Sequence, residues 1–95
     1  MKKLRIRVQG RVQGVGFRYT TKMLADQLGV TGSVKNEADG SVSIEAIGDD
    51  KAIDAFVAGV KDSPSPAGKV NQIDIQPDDA IKERRSFDCP FSPTH

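Results

Sequence analysis

Apolar and polar positions alternate at the start of the chain. Leu4, Ile6 and Val8 are separated by Arg5, Arg7 and Gln9. A period of two marks a strand with one buried face, so Leu4–Gln9 reads as the first strand. Three glycines in Gly10–Gly16 interrupt that pattern. The period then changes. Phe17, Thr20 or Thr21, Leu24 and Leu28 fall on one helical stripe, and Gly29 supplies a stop. The spacing predicts a helix over Phe17–Leu28. Thr31–Asn36 reads as a second strand, and Asp39-Gly40 is a hairpin signal. Ser41–Ile47 alternates again as a third strand. Gly48-Asp49-Asp50 opens a second helix with a carboxylate available to cap it. Ile53, Phe56, Val57 and Val60 form its apolar face, and it should end near Lys61. Ser63-Pro64-Ser65-Pro66 is a breaker. Val70–Gln76 reads as a fourth strand, Pro77–Arg85 as a polar connection, and Phe87–Phe91 as a candidate short last strand.

The resulting order is β-α-β-β-α-β. Two such units give an α+β, ferredoxin-like sandwich: a four-stranded antiparallel sheet with both helices packed on one face. The other face is then partly solvated, which accounts for Arg5 and Arg7 within the first strand. Val8-Gln9-Gly10 and Val12-Gln13-Gly14 echo each other over too few residues to signal a repeat architecture.

Composition sets bounds. Ninety-five residues suffice for one domain, taken as 1–95. No run approaches the roughly 18 apolar residues of a membrane span. The basic start Met1–Arg5 is not followed by an apolar signal segment. Cys89 is the only cysteine, so no internal disulfide forms; a lone thiol fits a reducing, cytoplasmic setting. Nothing in the pattern demands more than a monomer.

The net charge of +1 conceals a division. Residues 1–35 hold eight basic side chains against Asp26 alone, whereas residues 36–95 hold six basic and twelve acidic ones. Either the first third meets an anion, or the two parts attract each other in the fold. Composition leaves both open.

Candidate chemistry concentrates between the first strand and the first helix. Glycines in Gly10–Arg18 let backbone N–H groups converge, and a helix start adds free N–H groups with partial positive charge. A phosphate fits such a place. Arg18 stands in the first helical turn, where a cation costs about 0.3–1 kcal/mol. A bound anion would offset that cost, as would a distant carboxylate. The loop is neither a Walker A motif, since no Gly-Lys-Ser/Thr follows, nor a dinucleotide fingerprint, since the element order is not a parallel Rossmann unit.

Two stretches together are more specific. Gly10-Arg11-Val12-Gln13-Gly14-Val15-Gly16-Phe17-Arg18 resembles the first signature of the acylphosphatase family. Gly32-Ser33-Val34-Lys35-Asn36-Glu37-Ala38-Asp39-Gly40-Ser41-Val42, followed by Gly48, resembles the second. The resemblance runs from the first strand to the fourth. It implies hydrolysis of acyl phosphates to a carboxylate and inorganic phosphate, with no metal and no cofactor. It matches Arg18 to the family's phosphate-binding arginine and Asn36 to its water-orienting asparagine. Backbone amides of Gln13, Gly14, Val15, Gly16 and Phe17 would complete the cradle. Taken alone, Asn36 would be a turn residue. Ser33 departs from the family, which usually has an aromatic residue there; its replacement bears on stability or substrate preference.

The remaining features have simpler explanations. His95 is terminal and no His/Cys cluster exists to hold a metal. Cys89 reads as an incidental thiol, Asp49-Asp50 as a helix cap, and Lys82–Arg85 as a solvated charge run. The alternative function is a non-catalytic anion- or RNA-binding module on the same fold. Against RNA, the four main strands hold no aromatic residue on which a base could stack. A catalytically silent relative, or a domain of a larger maturation enzyme, is a third reading. The expected partner is therefore a small acyl phosphate, with no nucleic acid and no membrane. The sequence names neither that acyl phosphate nor the proton acceptor.

Overall fold

The computed structural model describes residues 1–89. Strand β1 spans Lys2–Arg11, helix α1 Phe17–Leu28, β2 Thr31–Asn36, β3 Val42–Gly48, helix α2 Asp50–Lys61, β4 Lys69–Pro77 and β5 Phe87–Asp88. The sheet order is β4-β1-β3-β2-β5. The first four strands pair antiparallel, as expected. The fifth adds parallel to β2 through Gly32–Phe87 and Ser33–Asp88. The sheet is thus five-stranded and mixed rather than four-stranded and antiparallel. β5 falls at the start of the expected last strand and is held by tertiary contacts. Phe87 is buried, with its ring 5.8 Å from that of Phe56, and Gly32 N donates to the Ser86 carbonyl. The part of the expected last strand beyond Cys89 lies outside the described residues, as does His95.

The alternation in β1 has its expected outcome. Leu4, Ile6 and Val8 are buried with Val34, Val42, Ile44 and Ala46. Phe17 and Ala25 of α1 and Ile53, Phe56 and Val60 of α2 join the same cluster. Each such large side chain contributes about 1.5–3 kcal/mol on burial. On the α1 stripe Thr21, not Thr20, is the buried threonine.

The opposite face of β1 is charged. The Arg5 guanidinium bonds Asp78 and Glu45, which holds its pKa above the ordinary arginine value, the Asp78 hydrogen bond being the larger cause. Arg7 pairs with Asp39, Lys2 with Asp54 and Lys35 with Glu37. Much of the charge division therefore resolves as attraction between the two parts of the chain. Among the described residues no helix is long and apolar enough to cross a membrane.

Candidate active site

The strand–helix connection ends in a left-handed turn. Gly16 caps α1 with φ 78°, a conformation that costs an L-residue roughly 1–2 kcal/mol. A side chain at Gly16 would meet nothing within 4 Å, so backbone angle rather than space calls for glycine. Among the described residues no side chain caps α1, and its first turn holds no acidic residue. The second residue of that turn is Arg18.

Gly14, Gly16, Phe17 and Arg18 line a cavity of about 250 Å³ together with Val12, Tyr19, Asn36 and Cys89. Arg18 and Asn36 are eighteen positions apart in sequence and meet at this one cavity. Asn36 is the last residue of β2, opposite Val42 in the β3 register. Its side-chain oxygen Oδ1 is buried and has no hydrogen-bond partner among the described residues. A buried acceptor left unmatched costs about 1–3 kcal/mol.

The loop and the β2–β3 hairpin are tied to each other. The Gln13 side-chain amide Nε2 donates to the carbonyls of Glu37 at 2.8 Å and Ser41 at 2.9 Å. Asp39 braces the hairpin: its carboxylate accepts from Ser41 N at 3.0 Å and from Ser41 Oγ at 2.6 Å. Those two bonds, with Arg7 behind them, pull the Asp39 pKa down to about 2. Arg7 Nε in turn donates to Ser41 Oγ at 3.1 Å. The loop and the strand end that carries Asn36 thus share a common frame.

Of the residues expected from sequence, Gly14, Gly16, Phe17, Arg18 and Asn36 come together at the cavity. Gln13 and Val15 belong to the same loop but do not line it. Gln13 instead bridges the two motifs through its side chain. Tyr19 and Cys89 line the cavity without having been expected there. Tyr19 directly follows Arg18 in the first turn of the helix, a signal that was available. Cys89 directly follows β5, at the start of the expected last strand, and no signal tied that strand to the loop. Ser33 lies away from the cavity, on the charged sheet face near Arg5, Lys35, Glu45 and Arg84. A broader depression of about 820 Å³ runs between Met1, Leu28 and the start of α2. Two aspartates, Asp49 and Asp50, flank it, which suits a phosphate poorly.

Comparison with known proteins agrees with this geometry. The sequence profile of the acylphosphatase family matches residues 4–89. An acylphosphatase of Enterococcus faecalis is 63% identical over 87 residues, covering 92% of this chain and 96% of the relative. One from Listeria monocytogenes is 43% identical over 86 residues, covering 90% and 92%. Among solved structures, the acylphosphatase from Bacillus subtilis superposes with a TM-score of 0.90 at 42% identity, covering 96% of this chain and all of that one. Full-length HypF, in a phosphate- and nucleotide-bound form, matches with a TM-score of 0.85 at 30% identity, where this chain corresponds to 12% of the larger one. The chain belongs to the acylphosphatase family.

Proposed function

We infer that this chain hydrolyses acyl phosphates, with Arg18 and the amides of the Gly14–Arg18 loop holding the phosphate and Asn36 orienting the attacking water. One observation carries the assignment of roles. Asn36, with an orphaned buried acceptor, lines the same cavity as a glycine-rich helix start and an arginine. A small movement of the amide on substrate binding would let a water donate to Oδ1 and satisfy that acceptor at the cavity.

The chemistry asks little more of the protein. Water oxygen bonds to phosphorus as the bond from phosphorus to the acyl oxygen breaks. The electron pair leaves with the carboxylate, whose conjugate acid has a pKa of about 4, so no general acid is required. The water's proton passes to a phosphate oxygen. In the transition state charge is spread over the three equatorial oxygens, where a guanidinium and fixed amides stabilise it. A planar guanidinium offers two parallel N–H bonds to those oxygens, which lysine cannot reproduce. Positioning and charge stabilisation therefore supply the rate without a metal or cofactor. We assign this work to residues 1–95 as one domain, monomeric and cytoplasmic, without a nucleic-acid partner. The lone thiol supports the compartment.

The test is phosphate release from an aryl acyl phosphate by the native chain, Arg18→Ala and Asn36→Ala, with and without chelator. Arg18→Ala is expected to lose at least ~10²-fold in kcat/KM, as on removal of a transition-state donor. Asn36→Ala is expected to lower kcat with little change in KM. Near-native turnover by Arg18→Ala, or a defect of Asn36→Ala confined to KM, would overturn the respective role.

A further inference from the structure

The segment after α2 was legible in sequence only as a breaker, yet one of its residues reaches the phosphate loop. Ser65 is 3% exposed, one of few buried polar side chains among the described residues. Its hydroxyl donates to the Val15 carbonyl at 2.6 Å, across fifty positions of chain. The turn that delivers it is specialised. Ser63 adopts φ 61°, unusual for a residue with a side chain. The Ser65 carbonyl accepts from Ser63 Oγ and from Gly68 N, each at 3.0 Å. A Cβ on Gly68 would approach Ser63 Oγ to 2.7 Å and the Arg11 carbonyl to 3.1 Å, so this turn packs tightly on the end of β1. Pro64 and Pro66, each with a fixed φ, flank the serine.

The consequence follows from peptide geometry. In a planar trans peptide the C=O and N–H point in opposite directions. A hydroxyl that fixes the Val15 carbonyl therefore also fixes the Gly16 N–H, aimed away from Ser65. Gly16 lines the cavity, whereas Val15 and Ser65 do not. Gly16 is also left-handed and glycine, so without an external hold its peptide can rotate at small cost. We propose that Ser65 is a positioning residue for the reaction: its bond to Val15 O holds the Gly16 amide toward the bound phosphate. The proposal rests on the phosphate-loop reading above and names the group that keeps that loop in order.

The experiment compares the native chain with Ser65→Ala, Ser65→Thr, Val60→Ala and Arg18→Ala. It reads kcat, KM and the inhibition constant of inorganic phosphate at a temperature where circular dichroism shows every variant folded. Ser65→Ala is expected to raise the phosphate inhibition constant roughly tenfold and to lower kcat/KM at least as much, the size of one hydrogen bond. Ser65→Thr keeps the hydroxyl and should restore most of both. Val60→Ala, a core truncation that keeps the backbone of the turn and does not line the cavity, should lower Tm and leave the phosphate constant native. Constants for Ser65→Ala within twofold of native overturn the proposal, as does an equal rise in Val60→Ala. If Arg18→Ala is inactive while Ser65→Ala is native-like, only the Ser65 assignment falls. If Arg18→Ala hydrolyses normally and phosphate does not inhibit the native chain, the phosphate-loop reading falls and takes the proposal with it. A variant-free measurement covers the case in which Ser65→Ala does not fold. The Gly16 amide resonance of the native chain must move on saturation with inorganic phosphate, and an unmoved resonance overturns the proposal.

Discussion

The two helices are each twelve residues long and begin in opposite ways. Helix α2 obeys the rules for a helix start. Asp49 sits extended before it and accepts from Ala52 N at 2.8 Å, Asp50 lies in the first turn, and Lys61 lies in the last. A cap of this kind stabilises by about 1 kcal/mol, and well-placed end charges by about 0.3–1 kcal/mol each. Helix α1 declines all of these. Its cap is a left-handed glycine without a side chain, and its first turn carries Arg18 where an acidic residue would suit the dipole. One chain thus contains a start arranged for its own stability and a start that leaves its amides and positive end to something else. The contrast supports the proposed anion site more strongly than the glycines do. Glycine-rich turns are common, whereas a helix that forgoes its cap beside one that has it calls for a reason.

The largest effect that can break this contrast is the loss of turnover expected for Arg18→Ala. It asks only whether the cation belongs to the reaction. Tyr19→Glu asks more. Tyr19 is 64% exposed in the first turn of α1 and lines the cavity. A glutamate there gives α1 the acidic residue that α2 already has. It should stabilise the helix by about 0.3–1 kcal/mol at low salt, because the carboxylate complements the helix end. It should also raise KM several-fold, because the same carboxylate repels the substrate phosphate. Chemical denaturation and steady-state kinetics on one preparation check both signs. A variant both more stable and equally active would mean that the α1 start holds no anion during turnover.

Asp49→Ala is the mirror experiment. It removes the cap from α2 and should lower stability by about 0.5–2 kcal/mol while kcat/KM stays native. An urea midpoint together with phosphate-release rates would show this. A matching loss of turnover would erase the distinction between a structural and a functional helix start.

Much of this contrast was readable in advance. Both helices and the four main strands follow from period alone, because each has one apolar face and a clear stop at Gly29 or at Ser63-Pro64. The Asp49 cap was readable because capping is local. Arg18 was readable as an anomaly, and the second motif gave Asn36 a partner. What could not be read depends on contacts distant in sequence. The start of β5 at Phe87 was expected, but its parallel pairing with β2 was not. Gln13 looked like a cradle residue, and only the fold shows its side chain spanning to the Glu37 and Ser41 carbonyls. Ser65 looked like loop punctuation between prolines. The basic first third looked like a field for an anion, and the fold spends Lys2, Arg5 and Arg7 on carboxylates from later in the chain.

The smallest effect concerns a third turn, where, as at the start of α2, a carboxylate meets a backbone amide. Asp39 does for the β2–β3 hairpin what Asp49 does for α2, accepting the Ser41 backbone N–H as well as the Ser41 hydroxyl. Those bonds, with Arg7, lower its pKa from an ordinary value of 3.8 to about 2. A carboxyl whose pKa is lower in the folded chain than in the unfolded one stabilises the fold when ionised. That stabilisation is complete above about pH 4 and is lost as the pH falls through 2. Asp39→Asn keeps an acceptor for the Ser41 amide but removes the charge. Denaturation midpoints at a series of pH values should show the native chain ahead of the variant at pH 5, with the gap closing between pH 4 and 2. A gap that persists unchanged at pH 2 would assign the aspartate's contribution to turn geometry rather than charge. The hairpin would then resemble the α1 start, whose backbone no carboxylate caps, more than the α2 start, where one does.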